Sequence, residues 1–432
     1  MDMGGRHSLS EVMARKPVRG EISVITCDMQ GTVREYAADA AALFGWTEDE
    51  VVGKMSVAAF HVPKNIPTLV PRLLREAVEQ GKFEEEVVLM RKDGSSFRAV
   101  LTVRPMVRDG KQVGYMGMTR PLEGPGGPPM ARLWFQSLRA PFLVASLIPV
   151  LVGGLAAWQM RSAFNVSLFL LALIGATCIH LSANMGNDAW DYRSGNDLQV
   201  RHLNPFAGGG RVLIRGVLNL KVHLAIAMLF LVVGSAIGVY LVTQVGLPLL
   251  WLGLFGVLVA YSYVGPPLRL AHHGVGEIAV GLEFGPVALL GTYYVLTRTF
   301  DPAAVVLSAC MGLLVTGILW INEVPDISAD SAVGKRTLVV RLGVERATTV
   351  FSGIVAAAYV MLAVGVALFR LTPWVLLAFL ALPLALQPVR GLRKSGGDPH
   401  TLIPSNAGMI LTTLATGVLI AIGLAVEALI FP

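Results

Sequence analysis

Charge is scarce in this chain: Asp, Glu, Lys and Arg make up 15% of its 432 residues, against 54% hydrophobic residues. With a mean hydropathy of +0.63, that balance excludes an ordinary soluble protein and puts most of the chain in lipid. Cysteine is scarcer still. Cys27, Cys178 and Cys310 lie far apart with no His or Cys at zinc spacing, so no disulfide framework or structural zinc is expected, only buried thiols. The first twenty residues, MDMGGRHSLSEVMARKPVRG, lack an apolar core, so no cleavable signal is expected and the N-terminus is expected in the cytoplasm. A concentrated basic patch is lacking too. The net charge of +6 comes mainly from short loops between apolar runs, as membrane topology requires, and no nucleic-acid partner is expected.

What charge there is crowds into the first third, so two unlike domains are expected. From about residue 20 to residue 122 the pattern is a strand EISVITCD, the turn MQGTV, the helices AADAAALFGW and TEDEVVGK, then three strands broken by the Asp-Gly turns of RKDGS and VRDGKQ. A small sheet with helices on one face follows. The turn at Asp28, Gly31 and Val33, the AAxxLFGWTxDEVVGK helix pair and the RKDGS hairpin resemble the PAS family. The resemblance implies an α+β sensory, docking or dimerising module, and leaves a PAS-mediated homodimer open. The chain lacks the cysteine-bearing segment of the flavin photosensors. His61 admits a haem-ligand reading, but a single His in a helix-loop stretch is more often surface or packing.

The linker PLEGPGGPPM cannot continue a helix. The expected organisation is a tail over 1–19, a PAS domain over 20–122, a Pro/Gly linker over 123–138 and a membrane domain over 139–432. After Pro141 about nine apolar segments are long enough to cross a bilayer, starting near Phe142, Val166, His223, Leu247, Val275, Ala303, Thr348, Pro373 and Ser405. A helical bundle is the expected fold, because backbone in lipid must satisfy its own hydrogen bonds. Arg and Lys gather after the second, sixth and eighth segments. Those loops and the N-terminal domain are therefore expected to face the cytoplasm, from a cytoplasmic (inner) membrane.

Two acidic stretches end apolar segments four spans apart: NDAWDYRSGND at 187–197 and NEVPDISAD at 322–330. At about 3.6 residues per turn, Asn184, Asp188 and Asp191 share a helix face with His180 a turn deeper, and Asn322, Asp326 and Asp330 share another. One such cluster is ordinary wet helix-end polarity. Two at matching positions would repel unless a cation lay between them, and oxygen-only ligands favour a hard ion such as Mg²⁺, which usually brings a phosphate. Basic residues trail both, Arg211 in PFAGGGR and Lys335 and Arg336 in VGKRTLVVRLG, suited to phosphate oxygens.

The ordered segments NxxNDxxDYxxGxD, NPFAGGGRV, YSYVGPPLRL, GVGEIAVGLEFGP and NEVPDxxADxxVGKRTLVVRLG resemble the UbiA superfamily of intramembrane prenyltransferases from about Arg139 to Pro432. The NDxxDYxxGxD form and the GKRTLVVRLG ending are most similar to the branch that prenylates 1,4-dihydroxy-2-naphthoate on the way to menaquinone. The resemblance implies a polytopic bundle in which Asp188, Asp191, Asp326 and Asp330 hold Mg²⁺ on a polyprenyl diphosphate, with Asn184 and Asn322 beside them. Arg211, Lys335 and Arg336 would contact the diphosphate of the donor, Asn187 and Asp197 would bind substrate, and an aromatic acceptor would receive the prenyl group. Other acceptors remain open, namely 4-hydroxybenzoate, homogentisate or a lipid alcohol. So does a PAS-gated receptor or transporter, although transporters place such acids mid-membrane. Tyr261 and Tyr263 fit an interfacial belt and the lining of a reacting carbon equally well. Glu283, deep in the fifth span, is functional by default and a candidate acceptor contact, while Glu277 reads as solvated near the interface.

Overall fold

The computed structural model describes residues 23–36, 38–108, 111–122, 137–194, 206, 213, 220–399 and 401–430. The tail and residues 123–136 of the linker lie outside them, as do Asp109–Gly110 of the second hairpin turn. The chain divides into two compact units, Met1–Leu133 and Trp134–Pro432.

In the first unit Asp28 builds the turn after β1 (Ser23–Asp28). Its Oδ1 accepts from the amides of Gln30 at 3.0 Å and Thr32 at 2.9 Å, and Gly31 takes φ +83°, which a side chain would resist. The reversed chain forms β2 (Val33–Tyr36), a strand the sequence pattern alone left inside the turn. Its four residues are too few to show alternation, yet Val33 and Tyr36 are buried. Helices α1 (Ala38–Phe44) and α2 (Ile66–Glu79), with a one-turn helix at Glu48–Val51 between them where TEDEVVGK was expected helical, precede β3 (Phe83–Met90), β4 (Ser96–Arg108) and β5 (Lys111–Pro121). The antiparallel sheet runs β2-β1-β5-β4-β3, so the first strand lies inside the sheet and the last, β5, is central. Its core closes on Tyr36, Phe44, Phe60 and Phe97.

His61 belongs to that core. It bridges to Leu89, is 6% exposed, and its Nδ1 finds no partner beside a cavity of about 50 Å³, room for a few waters and not for a haem. Burial depresses the imidazole pKa from 6.5 to about 4. The unfolded chain therefore binds the proton first, and stability present above pH 6.5 is lost as the pH falls through 4. The sheet unit is expected to lose up to about 3 kcal/mol across that window. Chemical denaturation of residues 20–122 at pH 7 and pH 4.5 checks this, and His61→Phe should flatten the difference.

In the second unit, among the described residues, eight helices are long and apolar enough to cross a membrane. They are α3 (Ala140–Arg161), α4 (Val166–Arg193), α5 (Leu220–Val245), α7 (Gly276–Thr297), α8 (Pro302–Ala332), α9 (Leu338–Leu368), α10 (Pro373–Ser395) and α11 (Ile403–Ile430). A ninth apolar helix, α6 (Pro248–Ser262), is shorter at 15 residues. The nine expected segments are thus all helical. Helix α8 is the hub, with 78% of its apolar window buried against 17% for α5. It packs along α7, α9 and α11, and Trp320 Nε1 donates to Ala347 O at 2.9 Å. Glycine lets α7 lie backbone to backbone on α8: a Cβ on Gly285 would come 2.4 Å from Ser308 O, and one on Gly312 2.4 Å from Gly281 O. Gly343, at φ 70° and ψ 168°, separates the LVVRL turn of α9 from its spanning part. All three cysteines are buried and free.

Candidate active site

Helix α4 stays helical as far as Ser194, so the 3.6-residue spacing holds for Asn184, Asp188 and Asp191. Asp188 and Asp191 are buried on its inner face, with His180 below. They sit at a helix C-terminus, whose partial negative charge disfavours a carboxylate, so cations must offset them. One comes from the chain itself: Arg139 Nη2 donates to Asp188 Oδ1 at 2.5 Å. Arg139 has left-handed backbone, φ 49°, at the entry to α3, a conformation costing about 1 kcal/mol that clusters at functional sites. The sequence marked Arg139 only as the membrane entry, and nothing local linked it to Asp188 forty-nine residues on.

The second stretch departs from the regular helix expected for it. Pro325 lacks an amide proton, and Val324–Asp326 tighten into a 3-10 turn before Ile327–Ala332 resume α geometry. The stripe of Asn322, Asp326 and Asp330 is therefore interrupted. Asn322 Oδ1 accepts from Asn406 Nδ2 at 2.6 Å, Asp330 is 2% exposed, and Asp326 is half-buried.

Lys335 joins the two stretches. Gly334, at φ 75°, turns the chain so that Lys335 Nζ reaches Asp330 Oδ1 at 3.3 Å. Burial opposes its charge, but the carboxylates of Asp191, Asp330, Glu323 and Asp326 outweigh that and hold the ammonium above its ordinary range. Helices α4 and α8 thus bring their acids to one place, as the matched positions suggested. Arg336 does not join them: its side chain is exposed, and among the described residues only its carbonyl is engaged, accepting from Arg341 Nε at 3.0 Å. Asp197 and Arg211 lie outside the described residues.

A cavity of about 430 Å³ descends from this place, lined by Asn184, Asn187 and Asn322 above and by Ser146, His180, Glu283 and Phe284 further in. His180 Nδ1 lies 3.0 Å from Ser146 Oγ, and its ring stands edge to face on Phe284 with centroids 4.7 Å apart. Below, the walls are apolar. Val239 of α5 and Leu254 of α6 line the cavity yet are more than half exposed, so it reaches the outer apolar surface of the bundle between these helices.

The two tyrosines separate. Tyr263 lines the cavity and donates to Glu323 Oε1 at 3.5 Å, whereas Tyr261 is half exposed and outside it, because residues two apart point to opposite helix faces. Glu277 corrects the solvated reading. It is 1% exposed, and its Oε1 accepts from the amide of Leu338 at 2.5 Å, capping α9. Glu323 is buried as well, at 6% exposure; the sequence singled out Glu277 but not Glu323, and shows a partner for neither.

Among the described residues no three acidic or imidazole side chains converge as a ready metal cage. Orphaned atoms nonetheless mark where a ligand fits: among the described residues Asn184 Nδ2, Asn187 Oδ1 and Asp188 Oδ2 are buried without partners. Leaving such atoms unpaired costs about 1–3 kcal/mol each, so the stretch is built for something it binds, and the oxygens suit a hard divalent cation.

Residues 146–403 match the UbiA prenyltransferase family and residues 22–122 the PAS fold. The chain is 30% identical over 295 residues to the 1,4-dihydroxy-2-naphthoate octaprenyltransferase of Mycobacterium tuberculosis, covering 67% of this chain and 97% of that protein. To the enzyme of the same name from Bacillus subtilis it is 27% identical, covering 72% and 99%. To the 2-carboxy-1,4-naphthoquinone phytyltransferase of Synechocystis it is 28% identical, covering 71% and 98%. Paired acidic helix ends over one apolar cavity, with a family match across more than half of the chain, place it in the UbiA prenyltransferase family, as an intramembrane prenyltransferase carrying an N-terminal PAS domain.

Proposed function

We propose that the chain transfers a polyprenyl group from a polyprenyl diphosphate to 1,4-dihydroxy-2-naphthoate, in a cytoplasmic membrane, with its acidic helix ends and PAS domain on the cytoplasmic side. The single observation that carries this is the cavity, which joins amides from both acidic stretches to apolar walls reaching the lipid-facing surface. A diphosphate and an isoprenoid tail need those two environments in one molecule's length. The acceptor is favoured by the printed activity of the relatives, and the orientation by the cations after the second, sixth and eighth spans.

Asp188, Asp191, Asp326 and Asp330, with Asn184, Asn187 and Asn322 beside them, would hold Mg²⁺. The ion would neutralise the diphosphate and so favour its departure from the allylic carbon. Arg139 and Lys335, already among these acids, supply guanidinium and ammonium donors for the same oxygens. Tyr263 and Phe284 turn aromatic rings into the cavity, where a carbon gaining positive charge meets π faces. Apolar walls hold the tail and exclude the water that would otherwise capture that carbon. The electron-rich ring of the acceptor then forms the new carbon–carbon bond as the allylic carbon–oxygen bond to diphosphate breaks, and the naphthoate carboxylate leaves as carbon dioxide, restoring the aromatic ring. The PAS domain serves as a regulatory or dimerising module.

Membranes containing the protein, given Mg²⁺, a polyprenyl diphosphate and a panel of 1,4-dihydroxy-2-naphthoate, 4-hydroxybenzoate and homogentisate, should yield a prenylated naphthoate by mass. A product from another acceptor alone would move the chain to a different branch. No product from any of them would overturn the reading.

A further inference from the structure

Glu283 is the one carboxyl on the cavity wall away from the acidic helix ends, among the described residues. Around it the wall is apolar, including Val257, Val280 and Val287. Its Oε2 is buried and, among the described residues, has no hydrogen-bond partner. The backbone there is π-helical over Glu283–Leu290, a geometry found often at functional sites.

Packing fixes where this side chain points. Gly281 and Gly285 lie on the face of α7 pressed against Gly312 and Ser308 of α8. Glu283, half a turn round, is turned the opposite way, toward α6. There Gly256 makes room for it: a Cβ on Gly256 would come 3.1 Å from Glu283 Oε1 and 3.3 Å from Val287 Cγ1. A carboxyl placed in an apolar wall, given space and left without a protein partner, is kept for a ligand that brings a hydrogen-bond donor.

This inference rests on the prenyl-transfer reading, which brings three chemical parts to the cavity. The diphosphate is anionic and is served by Arg139 and Lys335 at the acidic end. The isoprenoid tail has nothing to hydrogen-bond. The remaining part is the aromatic acceptor, whose ring hydroxyl donates to a carboxyl in either protonation state. We propose that Glu283 recognises the acceptor by accepting a hydrogen bond from its ring hydroxyl, and that it is the residue through which the cavity selects hydroxylated rings. The bond also leaves more electron density on the ring carbon that is to be alkylated. A ring without the hydroxyl would bury the carboxyl unpaired, the situation in which binding sites discriminate most strongly.

The test uses the full-length protein in membranes, with one polyprenyl diphosphate and pairs of aromatic acceptors that differ only in a free hydroxyl or its methyl ether. Glu283→Leu is expected to raise the acceptor KM by about tenfold or more, the usual cost of losing a hydrogen bond to a charged group, and to leave the donor KM within about twofold. The preference for hydroxyl over ether should fall by the same factor. The near-isosteric Glu283→Gln, which guards against a Leu variant that fails to fold, should fall between. Gly256→Ala, which presses on the carboxyl without removing it, should move the acceptor KM in the same direction. A donor KM that rises in step, or an unchanged hydroxyl-to-ether ratio, overturns the assignment of Glu283 while leaving the transferase reading intact. A wild-type protein that prenylates no hydroxylated ring overturns both.

Discussion

Asp188→Ala and Asp326→Ala are each expected to lower the rate of prenyl transfer about a hundredfold or more, the scale seen when one charge-stabilising group is removed from an active site. Asp188 is 1% exposed, at the disfavoured end of a helix, with one oxygen on Arg139 and the other unpartnered among the described residues. A carboxylate kept in such a place is retained for a cation. Truncation to Ala also strands the Arg139 guanidinium, so loss of activity could follow from loss of fold. Asp188→Asn separates the two effects, because it keeps the shape and an acceptor oxygen for Arg139 while removing the charge. If Asp188→Asn keeps its thermal stability in detergent and loses both transfer and Mn²⁺ binding, the ligand role stands. Either Ala variant retaining more than a tenth of wild-type turnover would remove that residue from the metal site.

The second large effect belongs to Lys335. Lys335→Ala should raise the KM for the polyprenyl diphosphate at least about tenfold, since a charge-assisted contact to a phosphate oxygen is worth about 1.5–3 kcal/mol. The acceptor KM should change much less. Arg336→Ala, one residue along, should stay within about threefold for both substrates. The sequence placed the two cations together, but the turn at Gly334 buries Lys335 among four carboxylates and leaves Arg336 exposed. Equal effects of the two substitutions, or a Lys335 effect confined to the acceptor, would contradict this division. Lys335→Arg offers a check on structure, because it preserves the charge facing the acids.

Much of the PAS unit was legible because its cues are local. Asp28, Gly31 and the RKDGS turn fix chain reversals within a few residues, and alternation marks the longer strands. The strand β2 was missed because four residues carry no period, and the inner place of β1 follows from its pairing with β5, almost a hundred residues on. His61 was readable as a packing residue but not as one left with a vacant nitrogen beside a cavity, which depends on what Leu89 and its neighbours bring up to it.

In the membrane unit the sequence by itself determined where the nine described apolar helices lie, since a peptide group in lipid must bond within its own segment and long apolar runs allow it. It also determined that two acidic stretches end such helices, because carboxylates stand out in so apolar a chain. Only the tertiary structure decided which faces of the helices look inward. In a soluble helix the polar side marks the surface, but here the lipid-facing and buried sides are both apolar, so the period that would reveal the inner face is absent. Hence Tyr263 could not be told from Tyr261, nor Lys335 from Arg336. For the same reason the pairing of Arg139 with Asp188, and the turning of Glu283 from α8 toward the cavity, exist only once glycine contacts have fixed which helices are neighbours.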